Sequence, residues 1–420
     1  MNRMLDFYQE QINANLSSIP WLAQMQTAAF KQFSHVGFPT RHHEEWKYTS
    51  VDSFLNQAFA KPQDQSTAEP FTPFTVEFKQ QLSICNGLIH TFDRLLKQLP
   101  AGVLVLPLTQ ALQSHTALIE PYLGSLLKPE HGFHWLNVAM IQCGLFIYIP
   151  QGVSIEEPIA LRHYQDKPNQ ALHLRHLIVM EPNSQASIIE SYEGAQDTSY
   201  FTNTVTEVFL APRAALTHYK IQNEGKSAYH IGHLSVKQSA QSQCNSHSLS
   251  LGGKLVRSDI SLYLQEEEAK CLMNGIYAPN DKQHIDHHTT VEHLVAHCQS
   301  EQDYKGILRG HSRAVFNGKV KVAPQAQQTK AKQQNKNILL SNTAEIDTKP
   351  QLEIFADDVV CSHGATVGQL DNEALFYLQS RGMSPDEASD YLIKAFAWDN
   401  LNRIPHPKVA EWMNQLLIGL

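Results

Sequence analysis

From about residue 100 to 355 the chain offers one short, partly alternating run after another and no segment of helix length between them. "VLVLPL", "GLFIYIP", "LRHLIVME", "NTVTEVFLA", "AYHIGHLSV" and "SRAVFNGKVKVA" are typical, and most end in breaks rich in Gly, Pro, Asn or Glu. Alternation with a period of two reads as strands, and the lack of intervening helices disfavours βαβ units. More than ten such runs are many for one sandwich. A coiled parallel sheet accommodates them by stacking one turn on the next. Each added rung covers the apolar ends of the one before, so burial worth about 25 cal/mol per Å² offsets the ordering of the backbone. No clean repeating motif recurs. Periodicity alone therefore leaves a large sandwich or barrel open beside the β-helix.

Helical patterns flank this body. "MLDFYQEQI" and "WLAQMQTAAFKQF" space their apolar residues by three and four, "GFPTRHHEEWKYTS" breaks the pattern, and "VDSFLNQAFA" resumes it. "KPQDQSTAEPFTPF", with three prolines, reads as a linker. After residue 365 Asp371 is placed to cap a helix that stops at Gly382. "SPDEASDYLIKAF" then carries Ser384 as N-cap, Pro385 at the first helical position and Glu387 to complete a capping box. Ala388, Tyr391, Leu392, Ala395 and Phe396 form its expected apolar stripe. The resulting division is a helical region over 1–60, a connecting segment over 61–99, a mainly β core over 100–365 and a helical region over 366–420.

The 420 residues carry a net charge of -8, which argues against broad attraction to nucleic acid or anionic lipid. Six cysteines lie far apart, without a CxxC pair, as free thiols in a reducing cytosol would. The N-terminus shows no secretory pattern, and "WLNVAMIQCGLFIYIP" is too short and glycine-interrupted to span a bilayer. A cytoplasmic chain is the expectation. GxGxxG after a strand, Walker A, GxSxG and HExxH are all missing.

Two polar clusters remain. In "HIDHHTTVEHLVAHCQS" a strand would put His284, Asp286 and His288 on one face and His287 on the other, while His293 and His297 have helix i,i+4 spacing. Convergent ligands there would make an independent metal-dependent enzyme, and divergent ones a solvated strand edge. In "ADDVVCSHGATVGQLD" Cys361 and His363 share one face of an extended segment. An imidazolium beside the thiol would favour the thiolate. Two groups do not complete a tetrahedral site, so the pair is either a packed junction or half of a site that another chain completes. A carbohydrate-binding β-helix is a third reading, lacking the paired carboxylates that cleavage uses.

The longer stretch "HHTTVEHLVAHCQSEQDYKGILRGHSRAVFNGKVKVAPQAQQTKAKQQNKNILLS" resembles the core signature of the SufB/SufD family of iron–sulfur cluster assembly proteins. "LEIFADDVVCSHGATVGQLDNEALFYLQSRGMSPDEASDYLIKAFAWD" continues the likeness, and the leader "GFPTRHHEEWKYTS" resembles the SufD branch. The cysteine-rich N-terminal motif usual in SufB is missing. This resemblance implies a right-handed parallel β-helix with helical ends, acting as a noncatalytic scaffold. It implies pairing with SufB through the ends of the two β-helices, with a homodimer open to the isolated chain. It also implies docking of the SufC ATPase on Asp371 through Phe396, with Asp371, Glu373, Phe376, Tyr377, Tyr391 and Phe396 in the contact. No stably bound cofactor is implied for the isolated chain. His363, with Cys361 beside it, is implied to help hold transient iron or a nascent cluster shared with SufB.

Overall fold

The computed structural model describes residues 2–60, 76–90, 95, 98–141 and 143–419; the proline-rich 61–74 linker lies outside them. Two sheets face each other, one of ten strands and one of nine. From Leu145–Ile149 onward successive strands alternate between them, so each pairs in parallel with the strand two places away in sequence. Tyr229–Gln238, for example, lies between Phe201–Leu210 and Leu255–Leu264. This is a parallel β-helix, the first of the architectures that the alternating runs left open.

The corners of the coil stack as regularly as its strands. Ahead of each of six strands of the ten-stranded sheet sits a left-handed, non-glycine residue: Asn183, Arg213, Gln241, Glu268, His297 and Gln328. A left-handed backbone costs an L-residue about 1–2 kcal/mol. Here the corner N–H groups bond to the next turn, Asn183 to Pro212 O, Arg213 to Ala240 O, Gln241 to Glu267 O and His297 to Gln327 O, at 2.8–3.1 Å. The following residue, Ser184, Ala214, Ser242, Ala269, Cys298 or Thr329, is small and buried. His297 is thus a corner residue, and the helix spacing read between His293 and His297 does not exist in the fold.

Each sheet is covered on its outer side. Helices α1 (Asn2–Asn13) and α2 (Pro20–Val36) form the N-terminal layer with the single turn α3 (Asp52–Leu55) and three short helices, α4 (Leu108–Ser114), α5 (Thr116–Ile119) and α6 (Gly132–Ala139). The last three lie in a stretch read from sequence as strands only: the apolar run at 135–141 packs under α2 rather than extending into the coil. This layer covers the nine-stranded sheet, with Phe54, Phe59, Phe133, Phe201 and Tyr229 meeting in one aromatic cluster.

Glu207 locks that layer in place. Its carboxylate accepts the backbone N–H groups of Gly124, Leu126 and Leu127 at 2.8–2.9 Å. It also takes Arg175 Nη2 at 2.7 Å, and both side chains are fully buried. Removing one partner of a buried ion pair strands the other charge, at about 3–5 kcal/mol. Glu207→Ala is expected to lower the stability of the purified chain by that amount, read from the shift in its urea unfolding midpoint.

The C-terminal layer covers the ten-stranded sheet with α7 (Asn372–Ser380), α8 (Pro385–Leu401) and α9 (Pro407–Ile418). Asp371 caps α7 by accepting from Glu373 N and Ala374 N, and Ser384 with Glu387 forms the expected capping box on α8. The expected stripe on α8 is rotated. Ala388, Ile393, Ala397 and Leu401 are buried, while Tyr391 is exposed and Ala395 faces away from the sheet. The buried Asn400 on the sheet side sets this rotation by bonding Asn274 and Asp303 O.

Candidate functional site at the open end of the β-helix

The two ends of the coil differ. At the N-terminal end the sheets finish in antiparallel strands of only three and four residues, Leu88–His90 and Leu104–Pro107. Very short strands blunt an edge. At the other end the outermost strands, Glu345–Ile354 and Val359–Gly368, are ten residues each, and among the described residues each pairs on one side only. Their long, unpaired N–H and C=O rows form a template for another chain. Exposed apolar side chains cluster there as well: Ile354, Phe355, Val360 and Val367.

His363 lies on this last rung. It stands in register with Gln333, and Cys361 with Ala331. Gln333 and Ala331 point into the lumen between the sheets and are buried. Alternation therefore aims Cys361 and His363 the same way. Cys361 is half-buried against Val320, Val322, Ala326 and Ala356, and burial pushes its thiol above its usual range. The thiolate expected from a neighbouring imidazolium is not favoured in this chain on its own. His363 is exposed, because no further rung covers it.

Beneath His363 the lumen is polar. Gln333 Nε2 donates to Gln302 Oε1 at 3.2 Å, and Thr289 donates to the same oxygen at 2.7 Å. Asn335 donates to Tyr277 Oη at 2.9 Å and Asn337 to Asn335 at 2.7 Å. Along "KQQNKN" the inward Gln333, Asn335 and Asn337 are buried, while Lys332, Gln334 and Lys336 face outward. Deeper still, the fully buried Glu190 accepts from Tyr192 and Thr206 at 2.6 and 2.8 Å and lies 3.1 Å from His218 Nε2. Sequence reasoning missed this buried polar column. Its signal was the polar residue recurring at inward positions of otherwise apolar strands.

The 284–297 cluster does not converge. His284, Asp286 and His288 point outward, where Thr49 bonds Asp286 at 2.6 Å and His288 sits 3.0 Å from Asp286 and 3.2 Å from Glu45. His287 and His293 point into the lumen, each to a serine: Ser250 at 3.1 Å and Ser300 at 2.8 Å. Strand alternation sends them to opposite sides of a sheet, so the metal-enzyme reading loses its common site.

On α7 and α8, Phe376, Tyr377, Tyr391 and Trp398 are exposed, the first at 74%. Asp371 and Glu373 are exposed beside them. Phe396 instead turns onto the sheet, with Lys305 Nζ 5.0 Å from its ring and bonded to its carbonyl. Among the described residues no helix is long and apolar enough to cross a membrane.

A parallel β-helix with one blunted end, one open end and a polar lumen defines the class. Residues 163–396 match the SufBD core domain of the SUF system for FeS cluster assembly, and residues 1–161 match the SufBD protein N-terminal region. The chain belongs to the SufB/SufD family. It is 33% identical over 377 residues to the iron-sulfur cluster assembly protein SufD of Escherichia coli (strain K12), covering 87% of this chain and 85% of that protein. An iron-sulfur cluster assembly SufBD family protein of Synechocystis is 30% identical over 420 residues, 96% of this chain and 92% of its own. The SufB protein of Bacillus subtilis is 24% identical over 327 residues, 75% of this chain and 68% of its own.

Proposed function

We propose that the chain is a noncatalytic scaffold subunit in iron–sulfur cluster assembly, working in the cytoplasm with a SufB partner and the SufC ATPase. The family and the names of its relatives supply the process. The observation that carries the reading is His363: a lumen-facing imidazole on the last rung, left uncovered beside two ten-residue open edges. A second β-helix laid against those edges would continue both sheets and enclose His363 at the junction. There the imidazole would act as one ligand to transient iron or a nascent cluster, with the partner supplying the others. Cys361, two residues away on the same strand face, would be a second ligand, through sulfur, once a bound metal draws off its proton.

The exposed aromatic face of α7 and α8 is the docking surface for SufC in this reading. Asp371, Glu373, Phe376, Tyr377 and Tyr391 lie on it, and Phe396 supports it from beneath. Nucleotide-driven movement of the ATPase would then reach the scaffold as a rigid-body motion.

The test is coexpression with SufB and SufC, anaerobic purification, and measurement of iron and acid-labile sulfide per complex. His363→Ala is expected to leave the complex intact and to lower both contents severalfold. Undiminished loading in an intact complex would exclude His363 as a ligand.

A further inference from the structure

On the outer side of the nine-stranded sheet, under the start of α6, lies a second buried polar group. His131, His134 and Asp259 each offer one ligand atom, and these atoms lie within 4.8 Å of one another. All three residues are buried. Neither ring nitrogen of His131 has a hydrogen-bond partner among the described residues. Asp259 Oδ2 stands 3.8 Å from His131 Nε2, too far for such a bond. A buried imidazole left unpaired is costly. An ion with bonds of about 2.0 Å in tetrahedral geometry gathers ligand atoms about 3.3 Å apart, so donors spread over as much as 4.8 Å would draw together on binding it.

We propose that His131, His134 and Asp259 form a site for one divalent first-row transition-metal ion, of the class of Fe²⁺ or Zn²⁺, separate from the His363 junction. Two imidazoles and one carboxylate suit such ions and leave coordination positions open. The surrounding residues orient the donors. Asp259 Oδ1 is held by Arg257 Nη2 at 3.0 Å, and Arg257 Nε reaches both carboxylate oxygens at 3.2 Å. His134 Nε2 lies 3.0 Å from His233 Nδ1, while His134 Nδ1 receives only a long bond from the Glu130 N–H, at 3.3 Å. With the His134 proton on Nε2 toward His233, the Nδ1 lone pair accepts only that long Glu130 bond, which an ion would displace, leaving His233 as the outer partner.

A cleft of about 360 Å³, lined by Lys128, Glu130, His233 and Asp259 among others, reaches the Asp259 side of the site. The donors come from the N-terminal layer (His131 and His134) and from the β-helix (Asp259). A bound ion would therefore pin one to the other and raise the stability of the folded chain.

The experiment is titration of the metal-free full-length chain with Co²⁺, followed by competition with Zn²⁺. One equivalent of Co²⁺ is expected to give the intense visible bands of a low-symmetry protein site, to be displaced by Zn²⁺, and to raise the melting temperature. His131→Ala and Asp259→Asn are each expected to weaken binding at least tenfold, with folding checked by circular dichroism before metal is added. His363→Ala is expected to leave the titration unchanged, which separates this site from the cluster junction. The titration of the unaltered chain decides the matter even where a variant fails to fold. Weak bands of aqueous Co²⁺ alone, bands that survive His131→Ala in a folded protein, or bands lost with His363→Ala would each overturn the proposal.

Discussion

Acidification from pH 7 to pH 5 is expected to remove most or all of the folding stability of this protein. Burial pushes His163, His173 and His287 down to about 3, and His233, His247 and His293 down to about 4. All six are buried, and the unfolded chain titrates them near the ordinary imidazole value of about 6.5. Because the folded values are the lower ones, the unfolded state binds protons first. The stability these rings contribute is present above pH 6.5 and is lost as pH falls from 6.5 toward 4 for three of them and toward 3 for the other three. Each ring removes up to about 1.4 kcal/mol per pH unit in that window. Six together remove on the order of 8 kcal/mol per unit at the steepest point, against a typical total of about 5–15 kcal/mol.

Other groups act in other windows. His288, raised by Asp286 and Glu45 against its own burial and the Arg257 charge, has the opposite sign. Glu190, Glu224, Asp259 and Asp286 are held below their usual range, so their loss comes later, below the ordinary carboxylate values near 4. The check is thermal unfolding by circular dichroism across the series. The melting temperature should stay level from pH 8 to 7 and fall steeply below about 6.5. A level profile down to pH 5 would mean that these imidazoles are solvated or already charged in the folded chain.

Those histidines also mark where the sequence was legible and where it was not. The local signals held wherever the cause was local. Ser384, Pro385 and Glu387 define a helix start by their own backbone chemistry, and alternation in 284–288 put His287 opposite His284, Asp286 and His288. The coil lacked a visible repeat because its corners use Asn, Arg, Gln, Glu and His in the left-handed conformation rather than glycine. The stacked N–H bonds between corners, not the residue types, hold that geometry. Only the small buried residue after each corner recurs, and turns of uneven length hide it. The lumen was misjudged for a related reason. A polar residue on a strand reads as outward-facing, and only the fold shows that Glu190 and Gln302 meet Thr206 and Thr289 of the opposite sheet while Gln333 meets Gln302 on the next rung. Cys361 and His363 could be placed on one strand face from sequence. That their rung is the last could not, because it depends on the end of the coil.

The largest functional effect is expected at those final strands. Val360 and Val367 are 70% and 48% exposed, so replacing both by lysine touches no packed core and should alter the stability of the isolated chain by less than about 1 kcal/mol. In a complex built by sheet continuation the same two positions would lie against the partner. An ammonium at position 367, in register with the buried Asn337, would be buried without a counter-charge at a cost of several kcal/mol. Lysine at position 360, in line with the exposed Lys330, is a common natural guard of an edge against strand addition. The double substitution Val360→Lys with Val367→Lys is therefore expected to weaken pairing with SufB about a hundredfold or more, equivalent to about 2.7 kcal/mol. Size-exclusion chromatography with light scattering on the coexpressed subunits gives the readout, with the melting temperature of the lone chain as control. The exposed face of α7 and α8 is untouched by these changes, so SufC binding should survive them, whereas Phe376→Glu with Tyr391→Glu should do the reverse. If the lysine variant still pairs at full yield, the open edges are not the contact, and His363 would then have no second chain to complete its coordination.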